Sequence, residues 1–325
     1  LRQVLPGLLA EILEVQGSRK KIELGRKVPI DRQRPMMKHF MTWLGFDFNH
    51  GRLDESHHPF CGGVPKDVRL TTRYSEDDFL SGLMGVMHET GHARYEQGLP
   101  TKWLEQPVGT ARGMAIHESQ SLFVEMQVGR SLEFYEYATP WLRDHLADAG
   151  DPPGFWEPKN LFHTAAHVEP GFIRVDADEV TYPAHIILRF EIERALIEGQ
   201  LEVEDLPGVW NEKMETYLGL STLGQDANGC MQDVHWPSGA FGYFPSYTLG
   251  ALVAAQLFAA LEREHPQVRS QISTGEMAPT MQWLKKNIWE HGSQLSSEEL
   301  VKAATGQPLS IDPFVAHLRR RYLRV

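Results

Sequence analysis

The chain has 325 residues, of which 42% are hydrophobic and 23% are charged, proportions that are ordinary for a folded protein with a substantial core. Its formal net charge is −11, which excludes nucleic acid and anionic membrane as main partners because both would repel the average surface. The two cysteines, Cys61 and Cys230, form no CxxC pair, which excludes a thiolate zinc finger and a disulfide framework and leads us to expect a reducing, cytoplasmic compartment.

The N-terminal segment is apolar but does not fit a targeting signal. Glu11 and Glu14 interrupt the apolar run that a signal peptide would need. No stretch of the sequence reaches the ~18 apolar residues required to span a membrane. Because the chain begins with Leu1 rather than methionine, we expect that it is processed or lacks an N-terminal part.

Helical periodicity dominates the sequence and strand-like alternation is scarce, which predicts a mainly α fold. Residues 1 to about 45 are predicted to form two helices joined across Gly25 to Pro35. Between residues 46 and 75, glycines and prolines mark turns, and behind them Val68 to Tyr74 alternates as a short strand does.

The next two segments are each predicted to form a long helix. Ser75 to Asp78 match the helix-start pattern Ser/Thr-x-x-Asp/Glu, apolar residues follow at three- and four-residue spacings, and this helix should end at Gly98. A second long helix is predicted from near Thr110 to Tyr137, followed by a loop rich in proline and glycine at 148–159. The remaining predicted helices cover about 180–199, 205–221, 246–264, 278–291, 296–305 and 312–323.

The strongest indication of chemistry is the HETGH sequence at 88–92, which lies in the first long helix. Helix positions i and i+4 share one face, so the imidazoles of His88 and His92 can reach one ion. Glu89 projects about 100° away, where a carboxylate can act as general base towards water activated by the metal. The alternative is a pair of hydrogen-bonded core histidines. The helical context and the small Gly91 on the inner face favour the metal site.

A catalytic zinc site needs a third protein ligand. Position 98 is glycine and no glycine stands at position 95, which excludes the metzincin pattern HExxHxxGxxH. Glu118 lies 26 residues beyond His92, far enough for a turn and an antiparallel return on the second long helix. A solvated helix glutamate is the alternative reading of Glu118, but beside the HExxH sequence a ligand role is favoured.

Six sequence blocks occur in a fixed order along the chain. They are HPFCGG (58–63), DVRLTTRY (67–74), HETGHARYEQGLP (88–100), IHESQS (116–121), IRVDADEVTY (173–182) and GCMQDVHW (229–236). Together they resemble the thermostable carboxypeptidase Taq family of zinc metallocarboxypeptidases, peptidase family M32. Six blocks in order are far more specific than HExxH alone.

The resemblance implies a mainly helical fold with a deep groove, akin to neurolysin and angiotensin-converting enzyme, and a small β-sheet near the active site. It further implies a metal-dependent exopeptidase that removes C-terminal residues from peptides, usually as a homodimer. By the motif match, His88, His92 and Glu118 correspond to the metal ligands and Glu89 to the general base. We expect one Zn²⁺ per chain, with Co²⁺ and Mn²⁺ as alternatives that the same donors accept.

The chain departs from the family pattern in two places. Family members carry a substantial helical part ahead of these motifs, whereas here about 45 residues precede the turn region, which bears on closure of the groove. After HESQS the family usually continues with Arg-Leu-Trp-Glu-Asn, whereas this chain has Leu122 to Met126, which bears on packing around the ligand helix. Because motifs on both sides of the 148–159 loop are expected to serve one site, we interpret 1–325 as a single catalytic unit. In that unit 1–45 are remnant N-terminal helices and 46–325 the metallopeptidase core.

A carboxypeptidase must bind a free α-carboxylate, and a guanidinium can do so through two parallel hydrogen bonds. We expect Arg174 in IRVDADE to have this role, because it lies in a matching block with a polar turn. The alternative is an ion pair between Arg174 and one of its neighbours Asp176, Asp178 or Glu179.

Hydrolysis also needs hydrogen-bond donors for the tetrahedral oxyanion. His235 and Tyr243 are candidates, with Tyr247 as a competitor or a substrate-binding residue. The alternative for His235 is a buried histidine bonded to Asp233. His58 either contacts the substrate backbone or fixes the turn before Pro59.

The sequence therefore predicts a carboxypeptidase in which metal-activated water attacks the C-terminal peptide bond and Glu89 is the general base. An oligopeptidase or endopeptidase on the same HExxH site is an alternative, since the motif does not choose between chain ends and chain middles. An inactive metal- and peptide-binding homologue is a second alternative, which the intact Glu89 disfavours.

Overall fold

The computed structural model describes residues 1–57 and 59–323, and within them the protein is mainly helical with one small sheet, as predicted. The α-helices are α1 (Leu5–Gly17), α2 (Ile30–Trp43), α3 (Phe79–Gly98), α4 (Gly113–Leu122), α5 (Leu132–Leu146), α6 (Pro158–Ala165), α7 (Tyr182–Ile197), α8 (Leu206–Leu218), α9 (Pro245–Glu264), α10 (Val268–Ser273), α11 (Ala278–Asn287), α12 (Ser297–Thr305) and α13 (Asp312–Leu323). The strands are β1 (Gly51–Glu55), β2 (Phe60–Val64) and β3 (Asp67–Thr72). Among the helices in the described residues, none is both long enough and apolar enough to cross a membrane.

The chain divides into two compact units. Within the described residues, the first contains Leu1–Arg19, Ala166–Leu249 and 315–323, and the second contains Lys20–Ala165 and Gly250–Phe314. The interpretation of the chain as one catalytic unit stays a prediction.

The sheet of the second unit has the strand order β1-β3-β2, with β1 parallel and β2 antiparallel to the central strand. In β3 the side chains of Val68 and Leu70 are fully buried and those of Asp67 and Arg69 are exposed, which is the alternation that predicted this strand. The two outer strands were not predicted, because their glycines are typical of turns. At Gly51 in β1, a Cβ atom would lie 2.3 Å from the carbonyl oxygen of Val68, so glycine permits the strands to approach.

The helices mostly follow the predicted ranges, with three corrections. The α2 helix begins at Ile30, so Pro35 lies inside it rather than in the linker. The single helix predicted from Thr110 to Tyr137 is wrong: α4 ends at Leu122, the π-helical segment Phe123–Gly129 follows, and α5 begins after Ser131. The side chain of Ser131 accepts a hydrogen bond from the backbone N–H of Phe134, which marks a new helix start. Helices α6 and α10 were not predicted.

The α3 helix packs directly against α4 in the second unit. It begins after Asp78, whose carboxylate accepts a hydrogen bond from the backbone N–H of Ser81, and it ends at Gly98 as predicted. At Gly91 an added Cβ would lie 2.5 Å from the carbonyl oxygen of Gln120 and 2.6 Å from Cα of Ser121. Glycine at this position therefore allows the backbones of the two helices to touch.

In the first unit, α7 and α8 pack around a core that includes Leu188, Ile192, Trp210 and Met214. A buried carboxylate, that of Glu179, attaches the C-terminal helix α13 within this unit. The Nε2 atom of His317 lies 2.6 Å from Glu179 Oε1, while Arg321 and Tyr322 donate hydrogen bonds of 2.9 and 3.1 Å to Oε2. The buried charge on Glu179 is thus fully compensated.

Candidate metal centre

Two helices of the second unit bring the three predicted ligands together. His88 and His92 lie one turn apart on α3, and Glu118 comes from α4, which the contact at Gly91 holds against α3. One donor atom of each residue lies within 4.8 Å of the donor atoms of the other two. Glu118 Oε1 is 3.9 Å from His88 Nε2, and Glu118 Oε2 is 3.4 Å from His92 Nε2.

The donor set fits a divalent transition metal. Two imidazole nitrogens and one carboxylate oxygen are the ligands of many catalytic zinc sites, which leave a further position open. The Nδ1 atoms of both rings are already occupied, that of His88 at 2.9 Å from Glu125 Oε2 and that of His92 at 2.7 Å from His117 Nδ1. Each ring therefore presents Nε2 towards Glu118. The other nitrogen of His88 has a carboxylate partner, as metal-bound histidines commonly do, whereas that of His92 contacts a second imidazole.

The charges around the histidines are predominantly negative. Burial alone would lower the pKa of His88, but the nearby carboxylates of Glu118 and Glu125 raise it to about 10. Burial lowers the pKa of His92 to about 4, so this ring is neutral at pH 7. In the metal-free chain the carboxylates thus hold a proton on one imidazole, and a divalent cation would replace that charge.

Glu89 lies beside this group and is 93% shielded from solvent. Burial raises the pKa of Glu89 to about 7, and the negative charges of Glu118 and Glu125 act in the same direction. A carboxyl group that titrates near neutral pH can both accept and release a proton under working conditions.

Glu125, which the sequence did not predict, is placed by the π-helical segment. The backbone N–H of Arg130 donates a 2.9 Å hydrogen bond to the carbonyl of Glu125, five residues earlier. This wide turn also brings the guanidinium of Arg130 to the Glu125 carboxylate, with Nε and Nη2 at 3.1 and 2.8 Å from Oε1. The family sequence Arg-Leu-Trp-Glu-Asn has glutamate at its fourth position, and this chain keeps that glutamate as Glu125 although the other residues of 122–126 differ.

Two positions far along the chain also shape α4. At Gly250, the first α9 residue in the second unit, a Cβ would lie 2.7 Å from the Cβ and Cγ atoms of Glu118, so only glycine leaves room for that side chain. The indole N–H of Trp289 donates a 2.8 Å hydrogen bond to the buried Gln120 side chain. Neither residue lies in a recognisable sequence pattern.

Arg174 lies in the first unit and is almost completely buried. Its Nε and Nη2 atoms donate hydrogen bonds of 2.9 and 2.7 Å to Asp233 Oδ1, and Nη1 donates one of 2.7 Å to the Tyr182 hydroxyl. Two of the neighbouring acids considered as its partners have other contacts: Asp178 accepts hydrogen bonds from the start of α7, and Glu179 binds α13. The role of Arg174 in carboxylate binding stays a prediction.

A second buried guanidinium shares the same carboxylate. Arg189 Nε donates a 2.6 Å hydrogen bond to Asp233 Oδ2, and Arg189 Nη2 has no hydrogen-bond partner within the described part of the chain. Burial lowers the pKa of Arg189 to about 10, which still leaves it charged at pH 7. Two positive groups around one negative group give this cluster an excess of positive charge.

The predicted oxyanion donors lie next to this cluster in the first unit. His235 Nε2 is 3.1 Å from the Tyr247 hydroxyl, and the ring centroids of His235 and Tyr243 are 5.5 Å apart. His235 Nδ1 is 3.7 Å from Asp233 Oδ1, too far for the hydrogen bond considered as its alternative role. His58 lies outside the described residues.

Comparisons with known proteins agree on one family. Residues 1–322 match the model of the carboxypeptidase Taq (M32) metallopeptidases. The chain is 44% identical over 327 residues to thermostable carboxypeptidase 1 of Thermus thermophilus, covering 99% of this chain and 62% of that protein. It is 40% identical over 297 residues to carboxypeptidase 1 of Bacillus subtilis, covering 90% of this chain and 58% of that protein.

Solved structures match over nearly the whole chain. The metallocarboxypeptidase 1 structure from Trypanosoma cruzi has a TM-score of 0.95 and 47% identity, covering 99% of this chain and 67% of that one. The M32 carboxypeptidase from Deinococcus radiodurans R1 has a TM-score of 0.92 and 35% identity, covering 99% of this chain and 64% of that one. The chain thus spans less than two thirds of the length of the curated relatives above.

Proposed function

The chain belongs to the carboxypeptidase Taq (M32) metallopeptidase family, and from this membership we propose that the protein is a metal-dependent carboxypeptidase that hydrolyses the C-terminal peptide bond of peptides. One observation carries the proposal. The donor atoms of His88, His92 and Glu118 converge, with the buried carboxyl group of Glu89 beside them.

In this role His88 and His92 bind a divalent cation through Nε2, and Glu118 binds it through its carboxylate. Zn²⁺ suits these donors best, and Co²⁺ or Mn²⁺ are alternatives. A bound cation of this kind supplies Lewis-acid polarisation of a carbonyl and lowers the pKa of water.

Glu89 moves the proton. Its carboxylate accepts a proton from the attacking water and passes it to the nitrogen of the leaving amine. Burial beside other carboxylates raises the pKa of Glu89 above its usual range, which makes its carboxylate a stronger base towards water.

The residues of the first unit are proposed to bind substrate. The excess positive charge of Arg174 and Arg189 around Asp233 suits a peptide's terminal carboxylate, which it would attract at a distance because the Arg189 side chain is fully buried. His235 and Tyr243 are proposed to stabilise the oxyanion. Tyr247 and His58 are proposed to contact the substrate. We retain a homodimer, a cytoplasmic location and a single catalytic unit as further proposals. Sedimentation would measure the mass of the assembly, and cell fractionation would locate the protein. Activity measurements on truncated chains would test whether one unit is sufficient.

The decisive experiment replaces Glu89 by Gln, which keeps the side-chain shape but removes the base. Release of free amino acids from an unblocked peptide is measured together with bound metal, determined by elemental analysis. We expect Glu89→Gln to retain the metal and to lose at least about a hundredfold in turnover. Wild-type turnover in this variant would contradict the proposed mechanism.

A peptide with an amidated C-terminus separates the carboxypeptidase from an endopeptidase on the same site. The amide cannot offer a charged carboxylate to the arginines, so a carboxypeptidase should lose most of its activity on it. Equal cleavage of the free and amidated peptides would favour the endopeptidase, and no cleavage of either by metal-loaded protein would favour a binding protein.

A further inference from the structure

A chain of three polar side chains leads away from one of the histidines. His92 Nδ1 lies 2.7 Å from His117 Nδ1, and His117 Nε2 lies 2.8 Å from Glu96 Oε1. His92 and Glu96 are one turn apart on α3, and His117 reaches them from α4 with its ring tilted 46° to that of His92. All three residues lie in the second unit, and only His92 is one of the expected ligands.

The positions of the protons follow from these distances once a cation occupies Nε2 of His92. That nitrogen must then offer its lone pair, so the His92 proton resides on Nδ1 and is donated to His117 Nδ1. Neutral His117 in turn carries its proton on Nε2 and donates it to the Glu96 carboxylate. If His117 Nδ1 donated the hydrogen bond to His92 Nδ1 instead, the His92 proton would reside on Nε2, where it would compete with the cation.

We propose that His117 and Glu96 are positioning residues that hold the His92 proton at Nδ1 and so keep its Nε2 available for the cation. The inference rests on the proposed function, because it takes His92 to be a ligand. The arrangement differs from that at His88, whose Nδ1 contacts the Glu125 carboxylate directly. At His92 a second imidazole stands between the ligand and the carboxylate, so Glu96 acts only through His117.

A purely structural role is the competing explanation, since the His117–Glu96 pair also joins α4 to α3. The two explanations differ in what they change. Loss of a structural contact lowers the stability of the metal-free fold but leaves the cation affinity of folded molecules intact. Loss of a positioning residue lowers that affinity, because the ligand ring then adopts unsuitable tautomers and orientations.

The test measures Zn²⁺ affinity of the 325-residue chain by competition with a chromophoric chelator, beside thermal unfolding of the metal-free protein. We expect His117→Phe, which removes the acceptor, to weaken Zn²⁺ binding about ten- to a hundredfold. His117→Asn keeps an oxygen near the position of Nδ1 and should recover part of that loss. Glu96→Gln should weaken binding less than His117→Phe, because the acceptor for His92 remains.

Tyr95→Phe is the matched control. The Tyr95 hydroxyl accepts a 2.9 Å hydrogen bond from the backbone N–H of Arg112, just before α4, so this variant also removes a contact between the two helices. The Tyr95 ring also lies 5.2 Å from that of His117, but phenylalanine keeps this ring, so the hydrogen bonds among His92, His117 and Glu96 remain. We therefore expect a lower unfolding temperature with unchanged Zn²⁺ affinity.

The outcomes separate this inference from the proposed function. If the wild type binds Zn²⁺, His92→Ala loses it, and His117→Phe or, should that variant not fold, His117→Leu binds as tightly as the wild type, the positioning role is overturned. If the wild type binds no Zn²⁺, or His92→Ala binds it equally well, the proposed metal site fails and this inference fails with it. Graded losses from Glu96→Gln to His117→Phe support the inference.

Discussion

Replacing Gly91 by Ala should destabilise the protein and disturb the metal site together. The added Cβ would lie 2.5 Å from the Gln120 carbonyl oxygen and 2.6 Å from the Ser121 Cα, where 3.4 Å is an ordinary contact. These are backbone atoms of α4 and cannot rotate away, so the two helices must separate by about 0.9 Å. Overpacking of this kind costs about 1–3 kcal/mol, and the upper part of that range applies because a whole helix must move.

The matched control is Gly85→Ala on the same helix. An added Cβ at Gly85 meets nothing within 4 Å, so this variant should gain up to about 1 kcal/mol from helix propensity alone. Since both variants share that gain, the difference between their unfolding free energies in urea isolates the cost of overpacking, about 2–3 kcal/mol. An unfolding free energy of Gly91→Ala equal to that of Gly85→Ala would refute the reasoning.

The Gly91→Ala variant should also lose affinity for the cation. Separation of α3 from α4 moves Glu118 relative to the two histidines, whose Nε2 atoms now lie 3.4 and 3.9 Å from its oxygens. Ligand distances in metal sites tolerate about 0.2 Å, so we expect Zn²⁺ binding to weaken at least about tenfold. Gly85→Ala should bind Zn²⁺ as the wild type does.

Two further predictions concern buried carboxylates. Glu125→Gln keeps the shape of the partner of His88 but removes its charge, and we expect Zn²⁺ affinity to fall about ten- to a hundredfold in chelator competition; an unchanged affinity would contradict this role. Burial opposes the charge on Glu179, but the charges and hydrogen bonds of His317 and Arg321 lower its pKa from 4.5 to about 2. The resulting stabilisation, about 3 kcal/mol, is complete above pH 4.5 and is lost as the pH falls towards 2. Glu179→Gln should therefore flatten the dependence of unfolding free energy on pH between 5 and 2, and an equally steep dependence would contradict the assignment.

Local patterns in the sequence predicted the central part of the metal site. The spacing of His88 and His92 is a property of any helix, and Glu118 could be expected beside them because residues 99–112 are long enough for the chain to turn back onto α3. The surrounding residues depend on how those helices pack. His117 is predicted to be near the site only if the rotation of α4 about its axis is known, and Gly250 acts on Glu118 from 132 positions away.

The fold shows the same division between local and distant information. The strand β3 was predicted because Val68 and Leu70 alternate with exposed residues, and α3 because its start and end signals are both present. The strands β1 and β2 were missed because Gly51 and Gly63 serve close strand pairing, which a single sequence does not distinguish from turns.

The salt bridge between Glu125 and Arg130 depends on the π-helical segment Phe123–Gly129. In a regular α-helix, residues five apart lie about 140° from each other around the axis, so Arg130 would be turned away from the carboxylate of Glu125. The carboxylate that contacts His88 would then lack its arginine partner. Substitutions that favour regular α-helical bonding over this wide turn should therefore disturb the metal site without changing any of its ligands.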